Sequence, residues 1–94
     1  MIRSYRNRDV RELFEDGKRL KGIPADVQRR AVSKLQMLHA ARNLDDLKVP
    51  PGNRLERLKG DRKGQHSIRI NNQYRVCFLW RDGDAYEVEV VDYH

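Results

Sequence analysis

The chain has 94 residues, 38% of them hydrophobic and 36% charged, which predicts one small domain spanning residues 1–94. No apolar run approaches the roughly 20 residues of a membrane span, and the first residues lack the apolar stretch of a signal peptide. The single cysteine, Cys77, excludes an internal disulfide framework, so we expect a cytoplasmic protein with no membrane partner. A net charge of +6 and a pI near 9.8 favour a polyanionic partner such as nucleic acid.

The first half of the chain has the apolar spacing of helices. Residues 2–5 favour a short opening strand, and residues 7–16 favour a helix that Gly17 is placed to end. A second helix is predicted over residues 25–42, which contain no Gly or Pro and follow Pro24, a residue suited to the first helical position. The apolar residues of this second helix would form one buried face: Val27, Ala31, Leu35 and Leu38.

After Pro50-Pro51-Gly52 the apolar spacing changes to two, which is typical of strands. Asn71-Asn72 and Asp82-Gly83 are suited to tight turns, and Asp-Gly is the strongest hairpin signal in the chain. The predicted strands are residues 54–58, 66–70, 74–80 and 85–91. The whole pattern predicts an α+β fold in which two N-terminal helices pack on a small, mainly antiparallel sheet.

The last hairpin decides which side chains meet at one end of this sheet. With an even two-residue loop, Arg75 pairs with Val90, and Asp92 lies on the same face within diagonal reach of Arg75. His94 keeps this parity if the strand continues, whereas Tyr93 has the opposite parity. We therefore expect Arg75, Asp92 and His94 to converge, an arrangement that a one-residue bulge would reverse.

These groups have the chemistry of a phosphate site. Asp92-Tyr93-His94 combines an acid, an aromatic hydroxyl and an imidazole, which can accept a proton, donate one and stack on a base. Arg75 interrupts an apolar run, and its planar guanidinium suits either a phosphate or a structural pair with Asp92. A basic segment is expected either to contact RNA or to form a solvated face: Arg54, Arg57, Lys59, Arg62, Lys63 and Arg69. The distant positions of His39 and His66 give no metal-site spacing.

Four segments occur in order along the chain: Leu58-Lys59-Gly60-Asp61-Arg62, Ser67-Ile68-Arg69-Ile70, Tyr74-Arg75-Val76-Cys77-Phe78 and Asp92-Tyr93-His94. Together with Ile2-Arg3-Ser4 and Leu13-Phe14, this set resembles the HigB toxins, which belong to the RelE/ParE superfamily of type II toxin–antitoxin systems. The resemblance spans nearly the whole chain. It implies a RelE-like fold and a ribosome-dependent endoribonuclease, or mRNA interferase, that cleaves translated mRNA in the ribosomal A site without a metal or other cofactor.

The resemblance also implies partners and residue roles. A HigA-like helix-turn-helix antitoxin would neutralise the toxin, and operator DNA would be contacted only through that antitoxin. Arg75 and Lys59 would stabilise charge on the scissile phosphate, Asp92 would orient Arg75 or His94, and Tyr93 would position or stack on a nucleotide. His94 would exchange a proton with the 2′-hydroxyl or the leaving 5′-oxygen, and the product would be a 2′,3′-cyclic phosphate.

The general base stays open at this point. Some relatives carry a histidine where this chain has Glu56. The candidates for the base are therefore His94, which is preferred, Glu56, and His66, which is expected on a neighbouring strand on the face of Cys77. Two other functions also stay open. A ParE-like gyrase-inhibiting toxin would share the fold but would not need the C-terminal acid–base set. A non-catalytic basic nucleic-acid-binding module, or a degenerate toxin, would bind RNA without cleaving it.

Overall fold

A computed structural model describes residues 1–93, and the expectations for His94 lie outside the described residues. Over residues 1–93, helices cover one face of a four-stranded antiparallel sheet with strand order β1-β2-β3-β4. The strands are β1 (Glu56–Arg57), β2 (Gln65–Arg69), β3 (Tyr74–Arg81) and β4 (Asp84–Asp92). The predicted α+β class is therefore confirmed. No helix in this part of the chain has the length and apolarity needed to cross a membrane.

The first helical segment combines two kinds of helical turn. α1 (Arg8–Arg11) begins at Asn7, whose Oδ1 accepts a hydrogen bond from the Val10 N–H at 3.2 Å. A π-helical turn (Glu12–Asp16) continues it and ends at Gly17, as predicted, where φ is 70°. This left-handed conformation is open to glycine at no steric cost, because glycine has no Cβ.

α2 spans Ala25–Ala40 and ends two residues before the predicted position, because the backbone becomes extended at Ala41, with ψ of 135°. Its predicted apolar face is buried in the core: Val27, Ala31, Leu35 and Leu38. The buried side chain of Gln28 holds the connector to the first helix. It accepts from the Leu20 N–H at 2.8 Å and donates to the carbonyls of Leu20 and Ile23 at 3.0 Å each.

The connection between α2 and the sheet is made of short 3₁₀ turns. They span Leu44–Lys48 and Pro51–Asn53, and a third turn (Gly60–Arg62) joins β1 to β2. The predicted opening strand is limited to two parallel bridges, from Ile2 to Ala85 and from Tyr5 to Val88. These bridges hold the N-terminal segment against β4.

The core lies between the helices and the inward face of the sheet. Its strand residues alternate along the sequence and include Ile68, Val76, Phe78 and Val88, all fully buried. Burying each such side chain contributes about 1.5–3 kcal/mol of transfer free energy. The intervening residues point to the opposite face, which we call the open face because the core helices pack on the other side of the sheet. The candidate site lies on the open face.

The last hairpin turns at Asp82-Gly83, as predicted, with the left-handed φ values of 50° and 82° that a tight two-residue loop requires. Beyond this turn, β4 contains a β-bulge, and Glu87 within it has φ of 52°. The bulge adds one residue to β4, so Arg75 pairs with Val91 rather than with Val90. The predicted register was therefore wrong by one residue.

This shift exchanges the faces of two C-terminal residues. Asp92 pairs with Tyr74, whose side chain is part of the core, so Asp92 does not share the face of Arg75. The N–H of Tyr93 donates to the carbonyl of Gln73 at 2.5 Å, which extends the ladder by one residue. The prediction that Asp92 lies on the face of Arg75 was therefore wrong, and Tyr93 occupies that face.

Candidate active site

A cavity of about 370 Å³ opens on the open face near the start of β3, beside the turn that joins β2 to β3. We call it the Arg75 cavity. Its described lining residues are Arg54, Glu56, Arg69, Asn71, Asn72, Arg75 and Tyr93. Three arginines against one carboxylate give this lining a net positive charge, which attracts a phosphate group.

Arg75 is 7% exposed, and its guanidinium is held by three neighbours. Nε donates to the Ser67 Oγ at 3.0 Å, and Nη2 donates to the Arg54 carbonyl at 2.5 Å. Nη1 lies 3.7 Å from the Glu56 Oε1. Because a guanidinium is planar, two hydrogen bonds on different nitrogens fix its plane at the wall of the cavity. The buried cation is thus paired before any ligand arrives.

The Arg54 carbonyl reaches Arg75 because the backbone of Arg54 is left-handed, with φ of 44° and ψ of 59°. This conformation is uncommon for a residue with a Cβ and costs on the order of 1–3 kcal/mol. The preceding 3₁₀ turn (Pro51–Asn53) supports it, since the Arg54 N–H donates to the Pro51 carbonyl at 3.1 Å. Strain of this kind is concentrated at functional sites.

Glu56 enters the cavity from β1, where it pairs with Ser67 of β2 and so shares the face of Arg75. Its side chain is 55% exposed. Of the two candidate bases within residues 1–93, it is Glu56 that lines the cavity. The carboxylate therefore both pairs with the guanidinium and faces the cavity.

Tyr93 also lines the cavity. The centroid of its ring lies 6.0 Å from the Arg75 Cζ, within the range of a cation–π contact. The residue is 41% exposed, so part of the ring surface is accessible to a nucleotide base. Asp92 differs, because its exposed carboxylate accepts from the Gln73 Nε2 at 3.2 Å at the sheet edge.

His66 was predicted to share the face of Cys77, and this is wrong. His66 pairs with Phe78, and its ring stacks on the Phe78 ring with 6.2 Å between centroids, whereas Ser67 pairs with Cys77. Burial, and secondarily the charge of Arg57, lowers the pKa of His66 below its ordinary value. Its Nδ1 is buried with no hydrogen-bond partner among the described residues. His66 is therefore not among the residues that line the Arg75 cavity.

The basic segment divides into three groups. Arg54 and Arg69 line the cavity, and the Arg69 side chain donates to the Asn72 Oδ1. Arg62 instead pairs with Glu89, at 3.0 Å between Nη1 and Oε2, and this hydrogen bond raises the pKa of Arg62. The remaining members are exposed at the surface, outside the described lining: Arg57, Lys59 and Lys63.

Three residues of the site were not predicted from the sequence. Ser67 holds Arg75, and Asn71 and Asn72 line the cavity. The pair Asn71-Asn72 was interpreted only as a turn, although the turn lies next to the predicted site in sequence. The structure contains no group of three or more His, Cys, Asp or Glu within residues 1–93 that could hold a metal ion.

Comparisons with known proteins agree with the fold. A family profile for HigB-like toxins, described as the RelE-like toxin of the type II toxin–antitoxin system HigB, matches residues 3–94. The chain is 42% identical over 85 residues to Toxin HigB-1 of Vibrio cholerae, which covers 90% of each protein. It is 35% identical over 94 residues to Endoribonuclease HigB of Proteus vulgaris, which covers the full length of both.

A chain from the YoeB-YefM complex of Staphylococcus aureus has the same fold, with a TM-score of 0.61 at 15% identity. The similarity covers 100% of this chain and 98% of that one. The chain therefore belongs to the HigB-like family of RelE-like toxins of type II toxin–antitoxin systems.

Proposed function

We propose that this toxin is a ribosome-dependent endoribonuclease that cleaves translated mRNA in the ribosomal A site. The observation that carries the proposal is the fixed guanidinium of Arg75, buried at the wall of a positively charged cavity beside the exposed ring of Tyr93. A guanidinium binds a phosphate through paired N–H donors, and an aromatic ring stacks on a base. The cavity thus offers contacts to both parts of a nucleotide. The Proteus relative bears the name endoribonuclease.

The reaction that fits these groups is an internal displacement at phosphorus. The 2′-oxygen of the nucleotide forms a bond to the adjacent phosphorus, and the bond from phosphorus to the 5′-oxygen of the next nucleotide breaks. A base takes the proton of the 2′-hydroxyl, and an acid gives a proton to the leaving 5′-oxygen. Arg75 stabilises the negative charge that grows on the phosphate oxygens. The products are a 2′,3′-cyclic phosphate and a 5′-hydroxyl.

The proposed proton transfers belong to His94 and Glu56. His94 is the preferred base or acid, and Glu56 is the alternative base because it lines the cavity. Asp92 lies off the face of Arg75, so its proposed role is limited to orienting His94, its near neighbour in sequence. Lys59 remains a proposed phosphate contact from the exposed surface.

The exposed cations suit a docking surface for RNA, because neutralised phosphates release counterions. We assign this role to the exposed Arg54, Arg57 and Lys63 and to the half-buried Arg69. Arg62 contributes less, because its charge is already paired with Glu89.

The partner of a type II toxin is an antitoxin. We propose that this antitoxin is HigA-like, with a helix-turn-helix, and that operator DNA is contacted only through it. Action on translating ribosomes places the toxin in the cytoplasm.

The test is a map of RNA 5′ ends after induction of the toxin in cells, with and without a block of translation initiation. We expect new 5′ ends in translated regions, phased with the codons and lost when initiation is blocked. A gyrase inhibitor would leave the RNA ends unchanged and arrest DNA replication. A toxin that only binds RNA would also leave them unchanged. Either result would overturn the proposal.

A further inference from the structure

Asn53 is a fully buried polar residue at the end of the 3₁₀ turn Pro51–Asn53. Its Nδ2 donates to the carbonyl of Leu47 at 3.1 Å and to that of Val49 at 3.4 Å. Its Oδ1 accepts from the Lys34 Nζ at 2.5 Å, which connects the turn to α2. Donor and acceptor atoms of this buried amide are therefore all bonded, and such a network holds the surrounding backbone in one arrangement.

The backbone fixed by Asn53 leads directly to Arg75. The Asn53 N–H donates to the Pro50 carbonyl at 2.9 Å, and the next residue, Arg54, has the left-handed conformation described above. The carbonyl of Arg54 then accepts from the Arg75 Nη2 at 2.5 Å. Asn53 thus lies one residue from the oxygen that orients the guanidinium, although Asn53 itself does not line the cavity.

We propose that Asn53 is a positioning residue for Arg75, and that Lys34 of α2 completes the network that holds Asn53. Asn53 acts by keeping the Arg54 carbonyl turned toward the guanidinium; it does not contact the substrate. This inference rests on the proposed function only for its effect on cleavage. Its effect on the Arg75 side chain is a property of the free toxin.

Two features of the network support this role. Arg54 is strained in a left-handed conformation, so neighbouring contacts must outweigh the strain. The side-chain hydrogen bonds of Asn53 are made by the residue immediately before Arg54. Lys34 is half-buried, and burial, together with the charge of Arg30, lowers its pKa. Losing the Lys34 ammonium would leave the buried Asn53 Oδ1 without this donor, which is costly. Lys34 is therefore a strong anchor for Asn53.

The test compares Asn53→Ala with Asp46→Ala as a matched control. Asp46 accepts from the Arg42 and Asn43 N–H groups at 2.9 and 3.0 Å, in the same connection but away from Arg54. Two kinds of measurement are made on the folded proteins. One is the rate of rotation about the Nε–Cζ bond of Arg75, by NMR; the other is kcat and KM for cleavage of mRNA on purified ribosomes.

In Asn53→Ala we expect faster rotation of the Arg75 guanidinium and a fall in kcat of about tenfold or more, with KM nearly unchanged, because misplacing a transition-state group affects kcat. Asp46→Ala should leave the rotation rate, kcat and KM unchanged. Unaltered Arg75 rotation in Asn53→Ala, or an equal change in Asp46→Ala, would overturn the inference.

If Asn53→Ala does not fold, Lys34→Met applies the same test with the same expected direction. If the wild type does not cleave RNA, the proposed function fails, while the rotation measurement still decides the role of Asn53.

Discussion

The ring of Tyr93 lies over the guanidinium of Arg75, with 6.0 Å between the ring centroid and Cζ. The bulge in β4 gives Tyr93 this position, because the extra residue at Glu87 places Tyr93, and not Asp92, on the face of Arg75. A cation suited to a phosphate and a ring suited to stacking on a base are thus adjacent. In the proposed reaction one nucleotide would contact both groups, and such contacts would hold its phosphate in position for cleavage.

Replacing Arg75 with Lys should abolish most of the cleavage while the protein stays folded. Lysine keeps the charge but cannot bond Ser67 and the Arg54 carbonyl from a planar fork, so the cation loses its fixed position. We expect kcat to fall by about 100-fold or more, the scale of losing one preorganised donor in other enzymes. Cleavage on purified ribosomes gives kcat, and circular dichroism checks folding. A Lys variant with near wild-type kcat would show that only the charge matters.

The role of Tyr93 is tested by two substitutions. Tyr93→Phe keeps the ring over Arg75 and removes the hydroxyl, whereas Tyr93→Ala removes both. If the ring stacks on a nucleotide, Phe should retain cleavage and Ala should lose roughly 5- to 150-fold, since stacking of a base contributes about 1–3 kcal/mol. Equal losses in the two variants would instead assign a proton-transfer role to the hydroxyl.

The general base is identified by comparing Glu56→Gln with His94→Gln. With His94 as the base, His94→Gln should remove cleavage and growth arrest, and Glu56→Gln should reduce cleavage only modestly by removing an ion-pair partner of Arg75. The pH dependence of kcat in each variant provides the measurement. Loss of activity in Glu56→Gln together with full activity in His94→Gln would reverse the assignment.

The stability of the toxin should fall when the pH drops below the ordinary pKa of histidine. The pKa of His66 is lowered in the folded state, mainly by burial, so below pH 6.5 the unfolded chain binds more protons than the folded chain. The free energy of unfolding therefore decreases from pH 6.5 down to the lowered pKa and then levels off. Urea denaturation at pH 7.5 and pH 5 measures this change.

The matched variant for this prediction is His66→Leu, which cannot be protonated and fills the same apolar site against Phe78. Its free energy of unfolding should depend less on pH over the same interval than that of the wild type. An identical pH dependence in the two proteins would show that other groups cause the change.

Local patterns predicted most of the fold. The helical period identified α2 and its buried face, and the Asp82-Gly83 turn was predicted correctly because its residues favour left-handed backbone. The bulge could not be predicted, since its left-handed residue is Glu87, a residue type with no preference for that conformation. One unpredicted residue was enough to exchange the faces of Asp92 and Tyr93.

The cavity was predicted in part. Arg75, Glu56 and Tyr93 were identified as site residues, and the structure brings all three together. Charge alone could not predict that Arg62 pairs with Glu89, because the two residues are 27 positions apart and meet only in the folded sheet. The contact between the Arg54 carbonyl and Arg75 depends on a backbone turn and a buried amide, neither of which has a periodic signature.

The most direct measurement uses purified toxin and ribosomes that carry a defined mRNA with a codon in the A site. One RNA has the normal ribose at the scissile position, and the other lacks that 2′-hydroxyl. We expect one cut in the normal mRNA, a 2′,3′-cyclic phosphate on the upstream fragment, and no cut in the deoxy mRNA or with Arg75→Ala. Undiminished cleavage of the deoxy mRNA, or full activity of Arg75→Ala, would contradict cleavage by 2′-hydroxyl attack in the Arg75 cavity.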